Sequence, residues 1–284
     1  MDHQHVPPSA RPGVIVGTDG STTALRAVAW AAAEAKLRGA GLLIVHAAPY
    51  ADTESGRRHA NAILTRARTV ARHERGLPIT TRVLLPEPRT ALREVAQDAD
   101  LLVVGMIAET AADALIGSVA TAITAHAPCP VAVVRGHHQG HDGSRPVLLA
   151  LGDAAEDRPV IDAAFADAEL HGSSLVVVHA SGDPTAAERL EANLQPWRAR
   201  YPGVAVDVQV ARGGTLKVLL TAAHTARLVV AGSPSRGAVA RTILGSTAHD
   251  LVRCAPCPVL VVPRPPAASA ATAPAAETGG EALL

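Results

Sequence analysis

The sequence predicts an α/β protein built from two tandem, doubly wound, five-stranded parallel sheets. Short apolar runs alternate with longer segments whose apolar residues recur at helical spacing, which is typical of parallel strands joined by crossover helices. The chain also repeats itself: HAPCPVAVV at 126–134 returns as CAPCPVLVV at 254–262, and LLIVHA at 42–47 returns as LVVVHA at 175–180. With 284 residues, the chain is long enough for two such units.

Each copy is predicted to contain five buried strands in the same order, connected by right-handed crossovers. The strands of copy one are expected at 14–16, 42–45, 80–85, 101–104 and 131–134. Those of copy two are expected at 147–151, 175–178, 204–210, 228–231 and 259–262.

Composition places the boundaries between these units. We predict an N-terminal tail at 1–12, a first domain at 13–135 and a second domain at 146–263. The segment 136–145 is polar and rich in glycine, as expected for a linker. Residues 264–284 are dominated by alanine and proline with few large apolar side chains, which predicts a disordered tail.

The overall composition argues against two classes of partner. The 26 basic residues balance 26 acidic ones, and the chain contains two Trp, two Tyr and one Phe, so we expect no nucleic-acid binding. No apolar run reaches the length of a membrane span and no secretory signal is evident, so we expect no membrane partner and a cytoplasmic protein. Three cysteines are too few for a disulfide framework.

Ligands of open parallel sheets bind beyond the carboxyl ends of the strands, where neighbouring crossovers leave to opposite faces. Two loops per copy qualify, one after the first strand and one after the fourth. In each copy the second loop ends in a glycine followed by a serine at a predicted helix start. Free backbone N–H groups and the positive end of a helix dipole make such a place suitable for an anion, and phosphate is the expected guest.

Taken together, the residues resemble the universal stress protein family over nearly the whole folded part of the chain. The resemblance rests on VGTDGS at 16–21, VVHA at 177–180, ADLLVVG at 99–105, the loops ending in Gly-Ser, and APCPV at 127–131 and 255–259. It implies a Rossmann-like fold of the adenine nucleotide alpha hydrolase type. It also implies pairing through the fifth strands, which would join the two copies into a pseudo-dimer, and it leaves open a homodimer of whole chains.

The resemblance further implies an adenine nucleotide, ATP with or without Mg²⁺, held by an Asp after strand one and a G-x2-G-x9-G-[S/T] loop after strand four. Copy one matches the adenine position with Asp19. Its loop matches with Gly105, Gly117 and Ser118, but Ala108 replaces the second glycine and only eight residues follow before Gly117. The loop contains two acidic residues and no basic one, which disfavours phosphate.

Copy two shows the opposite defect. Gly232, Gly245 and Ser246 keep the expected spacing, Ser235 replaces the second glycine, and two arginines in the loop can approach phosphate oxygens. Counting back from the histidine that ends the second strand, however, places Gly152 where copy one has Asp19. Asp153 stands one place late, and a one-residue displacement in a tight turn directs a side chain elsewhere unless the turn itself has shifted. We therefore expect copy two to lack the adenine-binding Asp that the family implies.

Each of these residues also has a purely structural interpretation. Asp19 can cap a turn or helix, and the Gly-Ser pairs can cap helices without any ligand. Cys254 and Cys257 have the spacing of a redox pair, but their predicted place at a helix C-terminus and a strand entry disfavours reactive thiols.

Three functions follow from this pattern. The first is an ATP-binding regulator of a stress response that acts on an unknown protein partner. The second is a nucleotide-independent dimerisation or interaction module with decayed sites. The third, an enzyme, is least supported because no nucleophile stands beside a general base at useful spacing, so slow ATP hydrolysis is the most we expect.

Overall fold

The computed structural model describes residues 13–106, 118–135, 145–152, 157–233 and 246–264. The strands of copy one are β1 (Val14–Gly17), β2 (Leu42–Ala47), β3 (Ile79–Leu84), β4 (Leu101–Met106) and β5 (Val131–Arg135). Those of copy two are β6 (Val147–Ala150), β7 (Leu175–Ala180), β8 (Val206–Ala211), β9 (Leu228–Gly232) and β10 (Val259–Val262). The α/β class with two sets of five parallel strands is confirmed.

Helices alternate with these strands as the sequence predicts. In copy one they are α1 (Thr22–Leu37), α2 (Glu54–Ala71), α3 (Pro88–Val95) and α4 (Ser118–His126), with a short 3₁₀ turn at Ala96–Asp98. In copy two they are α5 (Arg158–Leu170), α6 (Ala186–Arg200), α7 (Thr215–Ala223) and α8 (Ser246–Cys254). One apolar core lies between the sheet and α1, α2, α5 and α6, and a second lies on the opposite face under α3, α4, α7 and α8.

The ten strands of the described residues belong to one continuous sheet with the order β3-β2-β1-β4-β5-β10-β9-β6-β7-β8. The copies meet where β5 and β10 pair antiparallel, with Val133 opposite Val259 and Val131 opposite Val261. Because those residues occupy equivalent positions in the two copies, the pairing has the symmetry of a two-fold dimer interface. The pairing through fifth strands that the family resemblance implies is present within the chain.

A buried group of charges connects the helices of the two copies. Arg38 is the C-cap of α1, and its backbone N donates to Glu34 O. His171 is the C-cap of α5, and its backbone N donates to Asp167 O. The two pairs therefore occupy equivalent positions in the two copies. They cross over: His171 Nε2 lies 2.9 Å from Glu34 Oε1, and Arg38 forms an ion pair with Asp167. Arg227 Nη2 donates to His171 Nδ1 at 2.7 Å, so Nε2 carries the ring proton and donates to Glu34.

The joint between the copies is reinforced by four of these side chains: Glu34, Arg38, Asp167 and His171. Both carboxylates are almost completely buried, with 2% and 4% of the side chain exposed. Burial opposes ionisation of Glu34, but the hydrogen bond from His171 and the charges around it outweigh burial and lower the pKa of Glu34. Burial raises the pKa of Asp167 despite the charge of Arg38. Equivalent positions thus hold carboxylates with opposite pKa shifts.

Candidate functional site

The carboxyl ends of β1 and β4, and of β6 and β9, are the two places where a ligand is expected. The members of each pair are neighbours in the sheet. The helices that follow β1 and β6 pack on one face, whereas those that follow β4 and β9 pack on the other. A crevice therefore opens between the strands of each pair, as at other switch points in parallel sheets.

In copy one, Asp19 follows the carboxyl end of β1, and its carboxylate is engaged by its own turn. Its Oδ1 accepts a hydrogen bond from Ser21 N at 2.9 Å, and the side chain is exposed. Ser21 in turn caps α1 by accepting from Ala24 N at 3.2 Å. Gly20 has a φ of 83°, a left-handed conformation that glycine adopts readily. The contact that the structure shows for Asp19 is this turn cap, which is the structural interpretation of the residue.

Gly105, the last residue but one of β4, lies in close contact with the first turn of α1. A Cβ at this position would lie 3.0 Å from both Ala24 Cα and Thr23 O. Those atoms belong to the backbone of a helix, so they have little freedom to move away. Gly105 therefore lets α1 pack directly on the end of β4, and this contact explains the glycine without a ligand.

In copy two, Gly152 occupies the position of Asp19. His46 bonds Thr18 O and His179 bonds Leu151 O, each across 28 residues, so Thr18 and Leu151 are equivalent and the next residues are too. Both histidines are buried, as expected for structural side chains. Copy two thus has no side chain where copy one has a carboxylate.

A cleft of about 280 Å³ lies at this end of copy two. It is bounded by Gly152 after β6, Gly232 at the end of β9, and Thr247 and Ala248 in the first turn of α8. Arg264, which follows β10, supplies the charged part of the described lining. The cleft therefore combines a helix N-terminus with a guanidinium group, and both favour an anion.

Arg264 is held firmly in this cleft, although the composition of 264–284 predicts a disordered tail that begins at this residue. Its Nη1 donates to Ser233 O at 2.7 Å, and its backbone N donates to Ser233 Oγ at 3.1 Å. A Cβ on Gly232 would lie 2.5 Å from the guanidinium carbon, so only glycine leaves room for Arg264 here. Residues 265–284 lie outside the described part of the chain.

Asp157, at the N-terminus of α5, fixes the orientation of Arg264. Its Oδ1 accepts from Arg264 Nε at 2.6 Å and also forms an ion pair with Nη2. The Asp157 side chain is only 1% exposed, and among the described residues its Oδ2 has no hydrogen-bond partner. That oxygen lies 3.8 Å from where a Cβ of Gly152 would stand. A buried carboxylate therefore lies near the position where copy two lacks its Asp.

The remaining predicted site residues are described in part or not at all. Helices α4 and α8 begin at Ser118 and Ser246, as predicted. Gly117, Ser235 and Gly245 lie outside the described residues. The equivalence of Gly105 and Gly232 is supported by the registers of β4 with β1 and of β9 with β6.

Two further groups of side chains have the composition of a metal site and of a redox pair, but their hydrogen bonds and thiol pKa do not favour those functions. Glu34, Asp167 and His171 bring potential metal ligands within 4.8 Å of one another. Because Arg227 donates to His171 Nδ1, the proton on Nε2 blocks the nitrogen that faces the carboxylates. Cys257 is buried, and burial raises the pKa of its thiol to about 12, which makes a redox pair with the exposed Cys254 unfavourable.

Comparison with known proteins agrees with the fold and the repeat. The model of the Universal stress protein family matches residues 13–135 and 182–263. This chain belongs to the universal stress protein family. Its two family regions correspond to the two copies, so it is a tandem member.

Relatives of similar length align with this chain over nearly their whole length. A universal stress protein of Mycolicibacterium smegmatis is 33% identical, with 88% of this chain and 96% of the relative aligned. A universal stress protein of Mycobacterium tuberculosis is 27% identical, with 89% and 98% aligned. The crystal structure of a universal stress protein from Archaeoglobus fulgidus superposes with a TM-score of 0.75 over 89% of this chain and 99% of that one, at 19% identity. The last similarity shows the shared fold.

Arg264 and Asp157 are the site residues that sequence reasoning missed. They are separated by 107 residues, and neither belongs to a motif of the family resemblance.

The described helices include none with the length and hydrophobicity that a membrane crossing requires.

Proposed function

We propose that this universal stress protein binds an adenine nucleotide in the cleft of copy two and acts through binding rather than turnover. The observation that carries the proposal is the cleft itself, which lies at a switch point and is bounded by Gly232, the first turn of α8 and Arg264. The adenine specificity comes from the family resemblance. The regulatory protein partner and a cytoplasmic location remain predictions.

Arg264 is the group that we assign to the phosphate. A guanidinium has five N–H donors, and contacts with Asp157 and Ser233 engage three of them within the described residues. Two donors remain for an oxyanion, beside the backbone N–H groups that begin α8. The cleft retains its volume with Arg264 in place, so this side chain forms a wall of the cleft and does not fill it.

The size and charge of the cleft favour a nucleotide with few phosphates. Cavities that hold small ligands usually measure about 300–1,000 Å³, and the value of about 280 Å³ is at the lower edge of that range. Among the described lining residues none is acidic, and Asp157 faces Arg264, so the described part of the cleft offers no carboxylate ligand for Mg²⁺. We therefore expect AMP to bind at least as tightly as ATP, without a requirement for Mg²⁺.

Titration calorimetry of the full chain with AMP, and with ATP with and without Mg²⁺, tests this proposal. We expect one site and an AMP affinity that falls about tenfold to a hundredfold in Arg264→Ala, because a hydrogen bond to a charged group is lost. Arg253→Ala, at the opposite end of α8 and exposed, is the matched control and should leave the affinity unchanged. Asp19→Ala should also leave it unchanged if copy two binds the nucleotide.

The nucleotide-independent interaction module remains the second candidate, because a specific observation favours it. Copy two has Gly152 where the family implies an Asp, and Arg264 already has an anionic partner in Asp157. This candidate predicts no heat with any adenine nucleotide. Tighter binding in Arg264→Ala would show instead that Arg264 competes with the ligand, which contradicts its role in the proposed site.

A further inference from the structure

We propose that the outer edge of the sheet in copy one binds an extended acidic segment of a partner protein, which pairs with β3 as an additional strand. A groove of about 250 Å³ lies between α2 and this edge. Extended segments bind exposed strands through backbone hydrogen bonds, and pockets for their alternate side chains give specificity. The groove belongs to copy one, so binding there does not depend on the nucleotide cleft of copy two.

The backbone of β3 offers hydrogen-bonding groups on its outer side. Within the described residues, β3 is the last strand at this end of the sheet and pairs with β2 alone. Pro78 O and Leu84 O, at the two ends of β3, accept hydrogen bonds from the β2 side. Since backbone groups alternate in direction along a strand, the N–H and C=O groups of Ile79, Thr81 and Val83 point away from β2. These three residues can therefore pair with an additional strand.

The groove beside this edge is positively charged. One stripe of α2 and its C-cap forms a wall, and a threonine of β3 forms the opposite side. The described lining consists of Asn61, Leu64, Thr65, Arg68, Thr69, Arg72 and Thr81. None of these residues is acidic, and the exposed guanidinium groups of Arg68 and Arg72 form no ion pair or hydrogen bond with another described side chain. Both arginines are therefore available to carboxylates of a partner.

The spacing of the two arginines fits a strand with carboxylates at alternate positions. Because α2 connects the parallel strands β2 and β3, it runs back along the sheet. Arg68 and Arg72 are four residues apart, which corresponds to about 6 Å along the helix axis. Side chains two residues apart in a strand share a face and are about 6.6–6.8 Å apart. A segment that pairs with β3 can therefore present one carboxylate to each arginine.

Copy two covers the equivalent edge with its own side chains. The registers of β3 with β2 and of β8 with β7 make Val206 the counterpart of Ile79. Arg198 of α6 donates to Val206 O at 3.2 Å, on the side away from β7, and forms an ion pair with Glu191. The other arginines of α6 also pair with acidic side chains. The edge of copy two is therefore neutralised, whereas the described part of the edge of copy one keeps its positive charge.

The chemistry of the surface favours a protein segment over other anions. Within α2, four arginines face one glutamate, Glu54, which is already paired with Arg58. Such a field attracts acidic partners and steers their approach. The outer N–H and C=O groups of β3 also require a backbone with both donors and acceptors, which a small anion lacks. The described lining contains no aromatic ring on which bases of a nucleic acid could stack.

Fluorescence anisotropy of the full chain with a short labelled peptide in which glutamate alternates with threonine tests this inference. We expect saturable binding of one peptide per chain, weakened by salt because the arginines are exposed. A peptide of the same composition with its glutamates in one block should bind at least about tenfold more weakly, because its carboxylates do not share one face.

N-methylated peptides test the backbone pairing on the unaltered chain. In a strand, the N–H groups of the glutamates and those of the threonines point to opposite sides. Methylation of one of these two sets should therefore abolish binding, whereas methylation of the other set should leave it. A contact that depends on charge alone predicts equal binding of both methylated peptides.

Variants of the two arginines test the charge. Each of Arg68→Ala and Arg72→Ala should weaken binding about twofold to fivefold, as expected for an exposed ion pair. Arg68→Glu combined with Arg72→Glu should abolish binding of the glutamate peptide and create binding of a peptide with lysine in place of glutamate. Arg66→Ala, an exposed arginine of α2 outside the described lining, is the matched control and should leave the affinity unchanged.

The outcomes that would overturn the inference are distinct. They are absence of binding to the parent chain, equal binding of the blocked peptide or of both methylated peptides, and retention of the glutamate peptide by the doubly reversed variant. Displacement of the peptide by a single-stranded oligonucleotide would assign the groove to nucleic acid and would also overturn it. Binding of the lysine peptide shows that the doubly reversed variant is folded, and the methylated peptides need no variant.

Discussion

Copy one and copy two share their strands and helix order, yet they differ at the carboxyl edge of the sheet. In copy one, Gly105 lies directly under the backbone of Thr23 and Ala24, so α1 packs on the end of β4. In copy two, the equivalent Gly232 faces the guanidinium of Arg264, which Asp157 holds in place. The same glycine thus serves helix packing in one copy and seats a charged side chain in the other.

This difference shows which parts of a duplicated fold are constrained. Strands must satisfy every buried backbone hydrogen bond and keep their apolar faces covered, so both copies retain them. Loops at the sheet edge carry fewer of these obligations and can take different side chains. Function can therefore become concentrated in one copy, while the other keeps the pairing surface.

The largest expected effect concerns the carboxylates at equivalent positions in the joint between the copies. Glu34→Gln should lower the free energy of unfolding by about 3 kcal/mol, because it removes the charge from a buried pair. Asp167→Asn should change it by less than about 1 kcal/mol, since burial already disfavours the charge of Asp167. Urea unfolding of both variants at neutral pH measures the difference. An equal or larger cost for Asp167→Asn would refute the asymmetry.

The pH dependence of stability sharpens the same comparison. The lowered pKa of Glu34 stabilises the folded chain above the ordinary value of 4.5, and this contribution is lost as pH falls through the folded pKa. The raised pKa of Asp167 has the opposite sign: its contribution is present below 3.8 and lost as pH rises through the folded pKa. The stability gap between the parent chain and Glu34→Gln should therefore narrow on acidification. A gap that widens would contradict this assignment.

A smaller effect is expected from adding one methyl group at the two equivalent glycines. Gly105→Ala should lower the free energy of unfolding by about 1–2 kcal/mol, because its Cβ meets helix backbone that cannot move freely. Gly232→Ala should displace Arg264 and weaken AMP binding, whereas Gly105→Ala should leave AMP binding unchanged. Thermal unfolding and calorimetry on both variants test this contrast. Weaker AMP binding in Gly105→Ala but not in Gly232→Ala would reverse it.

The smallest effect concerns the cysteines and leaves stability unchanged. Cys129 and Cys257 occupy equivalent buried positions, and burial raises the pKa of their thiols to about 11 and about 12. Cys254 is exposed, and its counterpart in copy one is His126. Iodoacetamide should therefore alkylate one thiol of the native chain rapidly, and mass spectrometry should locate it at Cys254. Rapid labelling of Cys257 would revive the redox-pair interpretation.

The sequence by itself determined the strands, the duplication and the helix starts at Ser118 and Ser246. These features depend on short-range patterns: apolar runs that must be buried, and residues that begin helices. Counting along the chain was also sufficient to align Gly152 with Asp19, because the interval to the strand-end histidine is the same in both copies.

Only the tertiary structure decided which side chains share a site. Arg264 meets Asp157 across 107 residues, and Arg38 meets Asp167 across 129. Such contacts depend on how β10 leaves the sheet and on how α1 and α5 meet after β5 and β10 pair. No local pattern records that geometry, because the free energy that favours these contacts arises only when distant segments are buried together.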